Sequence, residues 1–404
     1  MSTTPIRTRK KAVKPNTTTL PEDIQDALSA VAKVHGENVM STAKKKPNGN
    51  RIPTGNFMFD LATLGGLPEG FPSMAYGYHS SAKTTFFLTG AAHFQRKFPD
   101  SFVAFVDAEG LLDEQWAEKL GVNLSKLVVV RPGYGEQAVD IIDHLFTTKS
   151  VGLIILDSVV TLVPMSSLNR SAEDDTMAAL PRLMGKLCSK LTCRQSDQRK
   201  LGHVQTFWYT NQLREKVGVV FGSNVHLPGG RQINHIAALK VWLKLSKEHT
   251  HKDEHGSEIP DYNEQVFRIE KTKSGGIKEG VFRLALGHPN SLEIPSGSYD
   301  NVPTILDYAK SFGFVTGSGG NWRVLTEKRK RTLEGPFKGQ LEDFTVFRKL
   351  ADIAEWLQSN EEEQHTLARS IIAAYRIQRG YPELPADGYL YSPIGRLVRL
   401  TTEE

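Results

Sequence analysis

A lysine and a threonine follow a short glycine-led loop in the segment GYHSSAKTT, which starts at Gly77 and comes after an apolar run. In such loops, backbone N–H groups and the start of the next helix face phosphate oxygens, while the lysine adds charge and the hydroxyl binds magnesium. The spacing GxxxxGK[ST] is kept, but Ala82 replaces its second glycine. Alanine is acceptable there if its backbone φ is negative and costly if φ is positive.

The alternative is a solvated strand-to-helix turn that contains a lysine by chance. We predict a nucleotide phosphate loop starting at Gly77 and followed by these contact residues: Tyr78, His79, Ser80, Ser81, Ala82, Lys83, Thr84 and Thr85.

Two carboxylates complete the chemistry that a phosphate loop requires. Asp157 ends the apolar run VGLIILD, where an acid suits the orientation of a magnesium shell, although many buried strands end in aspartate. Glu109 stands just beyond another apolar run, FVAFVD, where a carboxylate can orient a water that attacks a terminal phosphate. The other interpretation of Glu109 is an acid that caps a helix.

Short β-rich runs alternate with helical stretches from Ile52 onward, which predicts an α/β fold with a mainly parallel, twisted sheet covered by helices. The candidate strands are residues 73–76, 102–107, 127–131, 152–157, 204–210 and 239–245, followed by a hairpin of 267–271 with 281–286. The candidate helices outside the alternating region are residues 21–34, 305–312, 347–357 and 364–377.

Composition limits the class of protein. The chain has 404 residues, a net charge of +5 and two cysteines, and none of its apolar runs approaches the length of a membrane span. No membrane association and an intracellular, cytoplasmic location are therefore expected. The excess positive charge lies in a tail that reads as a disordered, solvated arm or a non-specific nucleic-acid contact. Its cations are Arg7, Arg9, Lys10, Lys11 and Lys14.

Together these motifs resemble the RecA family of recombinases, in bacterial or phage form. The similarity is collinear from about residue 21 to 375 and includes IPTGNFMFDLATLGGLPEG, GYHSSAKTT, FVDAEGLLDEQW, LIILDSVVTLVP, YTNQLREKVGVVFGSN and EKTK. It implies a RecA-type P-loop ATPase core at 51–289, with an N-terminal oligomerisation helix and linker at 21–50. A basic disordered tail at 1–20 and a small mixed C-terminal domain at 290–404 complete the expected organisation.

The resemblance also implies residue roles. Lys83 would contact phosphates, Thr84 and Asp157 the magnesium, and Glu109 the attacking water. Gln212 would sense the terminal phosphate, although a strand-end amide can simply cap a sheet. Asp113 and Trp116 would contact adenine, although a tryptophan on a helix is otherwise an ordinary core residue. Lys271 and Lys273 would contact the ATP of a neighbouring subunit; the alternative is that these two lysines form a solvated strand edge.

In the family, two segments bind DNA, and they correspond here to about residues 164–176 and 213–231. The candidate DNA contacts are Arg170, Arg182, Lys216, Phe221, Gly222, Gly229, Gly230 and Arg231. Phe221 has a second interpretation as a hydrophobic anchor in its loop.

The implied function is an ATP- and magnesium-dependent recombinase. It would form a head-to-tail filament on single-stranded DNA and pair it with homologous duplex DNA. Two alternatives remain open at this stage: a hexameric helicase with the same core, and an ATP-binding recombination mediator without strand exchange.

Overall fold

The computed structural model describes residues 21–35, 50–168, 178–200, 205–215, 225–272, 276–287, 289–325 and 345–381. The chain divides into two compact units, Met1–Lys46 and Pro47–Glu404. In the first unit, the described element is helix α1 (Glu22–His35), with acids in its first turn as predicted. Residues 22–34 are all exposed or half-buried, so the apolar stripe of this helix is not part of a core. The basic tail, residues 1–20, and the linker from residue 36 lie outside the described residues.

The second unit is built on an eight-stranded sheet with the order β12-β11-β10-β3-β7-β6-β4-β5. The described strands of this unit are β1 (Arg51–Ile52), β2 (Leu67–Pro68), β3 (Pro72–Gly77), β4 (Phe102–Asp107), β5 (Leu127–Val130), β6 (Val151–Asp157), β7 (Thr206–Gln212), β8 (Arg214–Glu215), β9 (Val225–His226), β10 (Leu239–Lys252), β11 (Glu258–Lys271), β12 (Glu279–Ala285), β13 (Val315–Ser318), β14 (Asn321–Val324) and β15 (Thr345–Phe347). Strands β10, β3, β7, β6, β4 and β5 run parallel, which confirms the predicted α/β fold.

Helices cover both faces of this sheet. The described helices are α2 (Phe57–Ala62), α3 (Lys83–Lys97), α4 (Glu114–Lys119), α5 (Gly135–Leu145), α6 (Met165–Leu168), α7 (Ala179–Lys200), α8 (Gly230–Ile236), α9 (Val302–Ser311), α10 (Leu350–Ser359) and α11 (Glu361–Gln378). None of the described helices combines the length and apolar character needed to cross a membrane.

Alternation along the strands explains the two layers of core. Successive side chains of a strand point to opposite faces, so Leu153 and Ile155 pack on the α3 side while Ile154 and Leu156 pack on the α5 and α7 side. Such continuous apolar runs are typical of strands buried on both faces.

Strand register sets where the predicted site residues meet. Gly77 at the end of β3 pairs with Gln212 at the end of β7, and Asp107 on β4 pairs with Asp157 on β6. Because β7 lies between β3 and β6, the carboxyl ends of these strands form one continuous edge. Ligands of open parallel sheets bind at such an edge.

The antiparallel side of the sheet is larger than predicted. The expected hairpin of 267–271 with 281–286 is present as β11 and β12, but β10 and β11 also form a long hairpin of 14 residues each. The predicted strand ended at residue 245, and the segment that follows it, SKEHTHK, is polar. Ladder hydrogen bonds with β11 extend the strand regardless of that polarity.

After β12 the chain forms a third core cluster. Side chains of α9, α10 and α11 pack on Phe57 and Leu61 of α2, beside a small antiparallel sheet of β13, β14 and β15. The prediction of a helix from residue 347 is wrong at its start: Phe347 pairs with Trp322 in the sheet, and α10 begins at Leu350. The domain boundary near residue 289 stays a prediction.

Candidate functional site

Gly77 ends β3 where the chain has no room for a side chain. A Cβ built on Gly77 would lie 2.1 Å from the Leu243 carbonyl oxygen and 2.6 Å from Ser81 Oγ. Glycine is therefore required here by the close approach of β10, whatever the loop binds. Ser81 is buried and its hydroxyl donates to the Tyr78 carbonyl at 2.9 Å, which closes the loop ahead of α3.

Ala82 has a φ of 55°, in the left-handed region, where it forms the N-cap of α3. Alanine would be free of strain here only with a negative φ, so the positive φ makes Ala82 a strained residue. The left-handed conformation costs an L-residue with a Cβ roughly 1 to 2 kcal/mol.

We predict that Ala82→Gly raises the free energy of unfolding by up to about 1 kcal/mol. Glycine relieves the left-handed strain, but it also loses more backbone entropy on folding than alanine does, which offsets part of the gain. Ala351→Gly is the control: Ala351 is exposed in the first turn of α10, so the same change should lower stability by about 0.5 to 1 kcal/mol. Denaturant unfolding measures both. A destabilised Ala82→Gly variant would contradict the strain argument.

Lys83 lies inside the loop. Its Nζ donates to the Tyr78 carbonyl at 2.7 Å and to Ser81 Oγ at 3.2 Å, and the residue is buried. Burial lowers the pKa of Lys83, and the carboxylates of Asp157 and Glu109 oppose this shift. The lysine is thus a poorly hydrated cation held at the loop, which is suited to an anionic ligand.

Thr84 and Asp157 meet across the strand edge. Thr84 Oγ1 donates to Asp157 Oδ2 at 2.5 Å, and Thr210 Oγ1 on β7 donates to the other carboxylate oxygen. Burial raises the pKa of Asp157, while the two hydroxyl donors lower it. A hydroxyl and a carboxylate oxygen in contact are hard donors of the kind that Mg²⁺ prefers, so these residues fit the predicted ion.

Glu109 is held by two donors from neighbouring strands. Its Oε1 accepts from Ser158 Oγ at 2.7 Å and from Gln212 Nε2 at 2.9 Å. The next α-helix along the chain, α4, is capped by Asp113 and not by Glu109. The structure therefore joins Glu109 and Gln212, which are 103 residues apart in sequence.

Asp107 is a site residue that sequence reasoning missed. Its buried carboxylate accepts from the N–H groups of Gly110, Leu111 and Leu112 at 2.8 to 3.2 Å. Arg131 Nε adds a contact at 3.3 Å. Asp107 thus holds the loop that carries Glu109 in place. The sequence feature that could have indicated this role is an aspartate at the end of an apolar strand, three residues before a glycine.

Asp113 and Trp116 lie at the start of α4. Asp113 is the N-cap, and its Oδ1 accepts from the Trp116 N–H at 2.9 Å. The Trp116 indole donates to Thr85 Oγ1 at 3.2 Å and the ring packs against the core. The structure therefore ties the predicted adenine contacts to the helix of the phosphate loop.

Lys273, the second of the two predicted lysines, lies outside the described residues, and Lys271 is the last residue of β11. Lys271 is half-buried, and its Nζ donates to the His235 carbonyl at 2.6 Å. This bond connects the end of β11 to the end of α8.

The two predicted DNA segments are described only in part. Arg170, Lys216, Phe221 and Gly222 lie outside the described residues. The remaining candidates meet where α7 and α8 begin: a Cβ on Gly230 would lie 3.0 Å from Pro181 Cβ, next to Arg182. Arg182 and Arg231 are both exposed there. Gly229 and Gly230 have φ of 90° and 82°, and their close approach is to α7 and Val159 of this chain.

The second segment is also closed at its base. Strand β8 pairs with β9, and Asn211 Nδ2 donates to the Pro228 carbonyl at 3.0 Å. The chain thus leaves β7 just after Gln212 and returns to it before α8.

This fold and site define a class: an α/β protein with a phosphate-binding loop after β3, at the carboxyl edge of a parallel sheet, and an acid at the end of β6, two strands away.

Comparison with known proteins narrows the class. A family model described as the RecA N-terminal domain matches residues 22–279. The chain is 35% identical over 351 residues to Protein RecA of Mesomycoplasma hyopneumoniae strain 7448, covering 85% of this chain and 97% of that protein. It is 30% identical over 311 residues to Protein RecA of Aquifex pyrophilus, covering 76% and 83%. The chain belongs to the RecA family, which confirms the predicted membership and supports a role in DNA recombination and repair.

Proposed function

We propose that this protein is a DNA-dependent ATPase that assembles as a head-to-tail filament on single-stranded DNA. In that filament, base pairing would select homologous duplex DNA for strand exchange. The observation that carries the proposal is the hydrogen bond between Glu109 and Gln212. It joins the carboxylate placed for water activation to the residue from which the second DNA segment departs.

The nucleotide side follows from the loop. Lys83 would exchange its bonds to the Tyr78 carbonyl and Ser81 hydroxyl for phosphate oxygens, which accept more strongly because they are charged. Thr84 and Asp157 would hold Mg²⁺, which when bound neutralises charge on the phosphates. Trp116 offers a ring for the base, tied to the loop by Thr85. Glu109 would orient the attacking water.

Coupling to DNA requires a mechanical link, and Gln212 offers one. A terminal phosphate near Glu109 would compete for the Gln212 amide. Any movement of Gln212 passes to β8 and β9, which hold the two ends of the second segment together. Hydrolysis would reverse this movement and weaken the filament.

In this proposal, binding of single-stranded DNA is mainly electrostatic. Arg182 and Arg231 are exposed in the first turns of α7 and α8, and the residues before them, Pro181 and Gly230, approach each other. Cations that contact the phosphate backbone do not distinguish one base from another, so the affinity should depend little on the DNA sequence. It should also fall as the salt concentration rises.

Assembly would use Lys271, Lys273 and helix α1. Lys271 and Lys273 would reach the ATP of a neighbouring subunit, and the apolar stripe of α1 would dock on an adjacent core. A contact of this head-to-tail type produces an open filament when its rotation does not close.

ATP turnover with and without single-stranded DNA tests the proposal. We expect turnover to rise several-fold on adding oligo(dT), and electron microscopy of the complex with ATP to show helical filaments. Closed six-membered rings would identify a helicase instead. ATP binding without DNA-stimulated turnover would identify a mediator, for which the strained Ala82 is the motivating feature.

A further inference from the structure

Strand β11 contains a β-bulge directly before Lys271. Lys240 on β10 lies opposite Lys271, whereas the next residue of β10 lies opposite Ile269. Glu270 is therefore the extra residue of the bulge, and a bulge interrupts the alternation of side chains along a strand and re-aims the residue beside it. Here Lys271 Nζ reaches the last turn of α8, where it donates to the His235 carbonyl at 2.6 Å.

Two like charges lie opposite each other at this bulge. Lys240 and Lys271 form a directly opposed pair, an arrangement that destabilises a strand pair. Glu270 supplies the compensating charge, since its Oε2 lies 2.8 Å from Lys240 Nζ. The Lys240 ammonium also lies 4.5 Å from the centre of the Tyr76 ring, which is a cation–π contact. Lys240 is thus held by Glu270 on one neighbouring strand and by Tyr76 on the other.

Tyr76 completes the cluster. This buried residue of β3 comes directly before Gly77, where the phosphate loop starts, and its hydroxyl donates to the Glu270 carboxylate. Burial raises the pKa of Tyr76 and the bond to Glu270 raises it further, so the hydroxyl stays a donor. Burial also acts to raise the pKa of Glu270, but the bonds from Lys240 and Tyr76 outweigh it and lower that pKa. The three side chains therefore connect the end of β3 to the bulge before Lys271.

We propose that Glu270 is a positioning residue that directs Lys271 to the ATP of the neighbouring subunit. The inference rests on the proposed function, in which Lys271 acts in trans. Glu270 itself touches no nucleotide: it fixes the bulge through Tyr76 and neutralises Lys240. Without this carboxylate, the Lys240 ammonium would repel that of Lys271, and the bulge would lose its bond to β3. A misplacement of about 1 Å can slow a reaction roughly 10²-fold, so the position of Lys271 matters for turnover.

Glu270→Ala is expected to lower the DNA-stimulated turnover number roughly 10- to 100-fold and to leave the KM for ATP unchanged. The KM should hold because Gly77 of the same subunit keeps its backbone pairing with Gln212. Steady-state kinetics separate the two quantities, and thermal unfolding checks that the variant is folded. A raised KM with an unchanged turnover number would place the role of Glu270 in its own phosphate loop and overturn the inference.

Glu279→Ala is the matched control. Glu279 on β12 also pairs with a cation of β11, Arg268, at 3.2 Å. That ion pair joins β11 to the edge strand and not to β3. Its loss should therefore leave turnover as in the wild type, and an equal loss in both variants would show a general effect of charge on this sheet.

A double variant tests whether Glu270 acts through Lys271. In the Lys271→Ala background, Glu270→Ala should cause little further loss of turnover, because the side chain to be positioned is absent. Losses that multiply in the double variant would show independent roles and overturn the inference.

The same measurements separate this inference from the proposed function. A wild-type protein without DNA-stimulated turnover, or a fully active Lys271→Ala variant, would refute the shared ATP site and the role of Glu270 with it. Wild-type turnover in Glu270→Ala, beside an impaired Lys271→Ala variant, would refute the role of Glu270 alone.

Discussion

Replacing Glu109 by glutamine is expected to slow ATP hydrolysis by roughly 10²- to 10⁴-fold while ATP binding is kept. The carboxylate accepts from Ser158 and Gln212, and an amide oxygen can still accept from both, so the local structure should survive. What the amide loses is the negative charge that orients and partly deprotonates the attacking water. Steady-state turnover and binding of a fluorescent ATP analogue separate the two effects.

Glu118→Gln is the matched control for this experiment. Glu118 is an exposed acid on α4, a helix that begins close to the same site, and its change should leave turnover as in the wild type. If Glu109→Gln hydrolyses ATP as fast as Glu118→Gln, Glu109 is not the catalytic carboxylate.

Replacing Lys271 by alanine is expected to reduce DNA-stimulated turnover by roughly 10³-fold, at the lower end of what a cation supplied in trans contributes to phosphoryl transfer. Within its own subunit Lys271 is half-buried at the end of β11 and donates to a backbone carbonyl, that of His235, so the isolated subunit should stay folded. The effect should therefore appear in turnover and filament formation together, measured by ATPase assay and electron microscopy.

A mixing experiment distinguishes action in trans from a structural effect. Lys83→Ala subunits cannot stabilise ATP phosphates but still present Lys271, whereas Lys271→Ala subunits have the reverse defect. Mixed filaments should regain part of the turnover that neither variant shows alone. Lys278→Ala, a change of an exposed lysine before β12, should be active by itself. A fully active Lys271→Ala variant would end the proposal of a shared site.

Local chemistry made much of the site predictable. Lys83 and Thr84 follow an apolar strand and open a helix, and Asp157 ends a second strand, so each depends only on neighbours in sequence. The same is true of the alternating runs that predicted the parallel sheet. Patterns of this kind can be recognised in the sequence because the alternation of a strand and the residues of a turn involve only a few neighbouring positions.

Other features required the folded chain. The left-handed φ of Ala82 follows from how the loop closes on Lys83, and the extension of β10 to Lys252 follows from its ladder with β11. Gly229 and Gly230 were predicted to allow a ligand close to the backbone, yet the structure places Pro181, Met184 and Val159 against them. For β10 and for the two glycines, a partner distant in sequence set the conformation.

The sequence by itself thus determined the fold class, the family and the types of residue at the nucleotide edge, because these depend on local composition and spacing. Only the tertiary structure decided which polar groups meet. The order β3-β7-β6-β4 brings Gln212 to Glu109 and Thr210 to Asp157. Side-chain hydrogen bonds between strands depend on the order of the strands in the sheet. That order is set by the burial of whole faces of the sheet, and no single sequence motif contains this information.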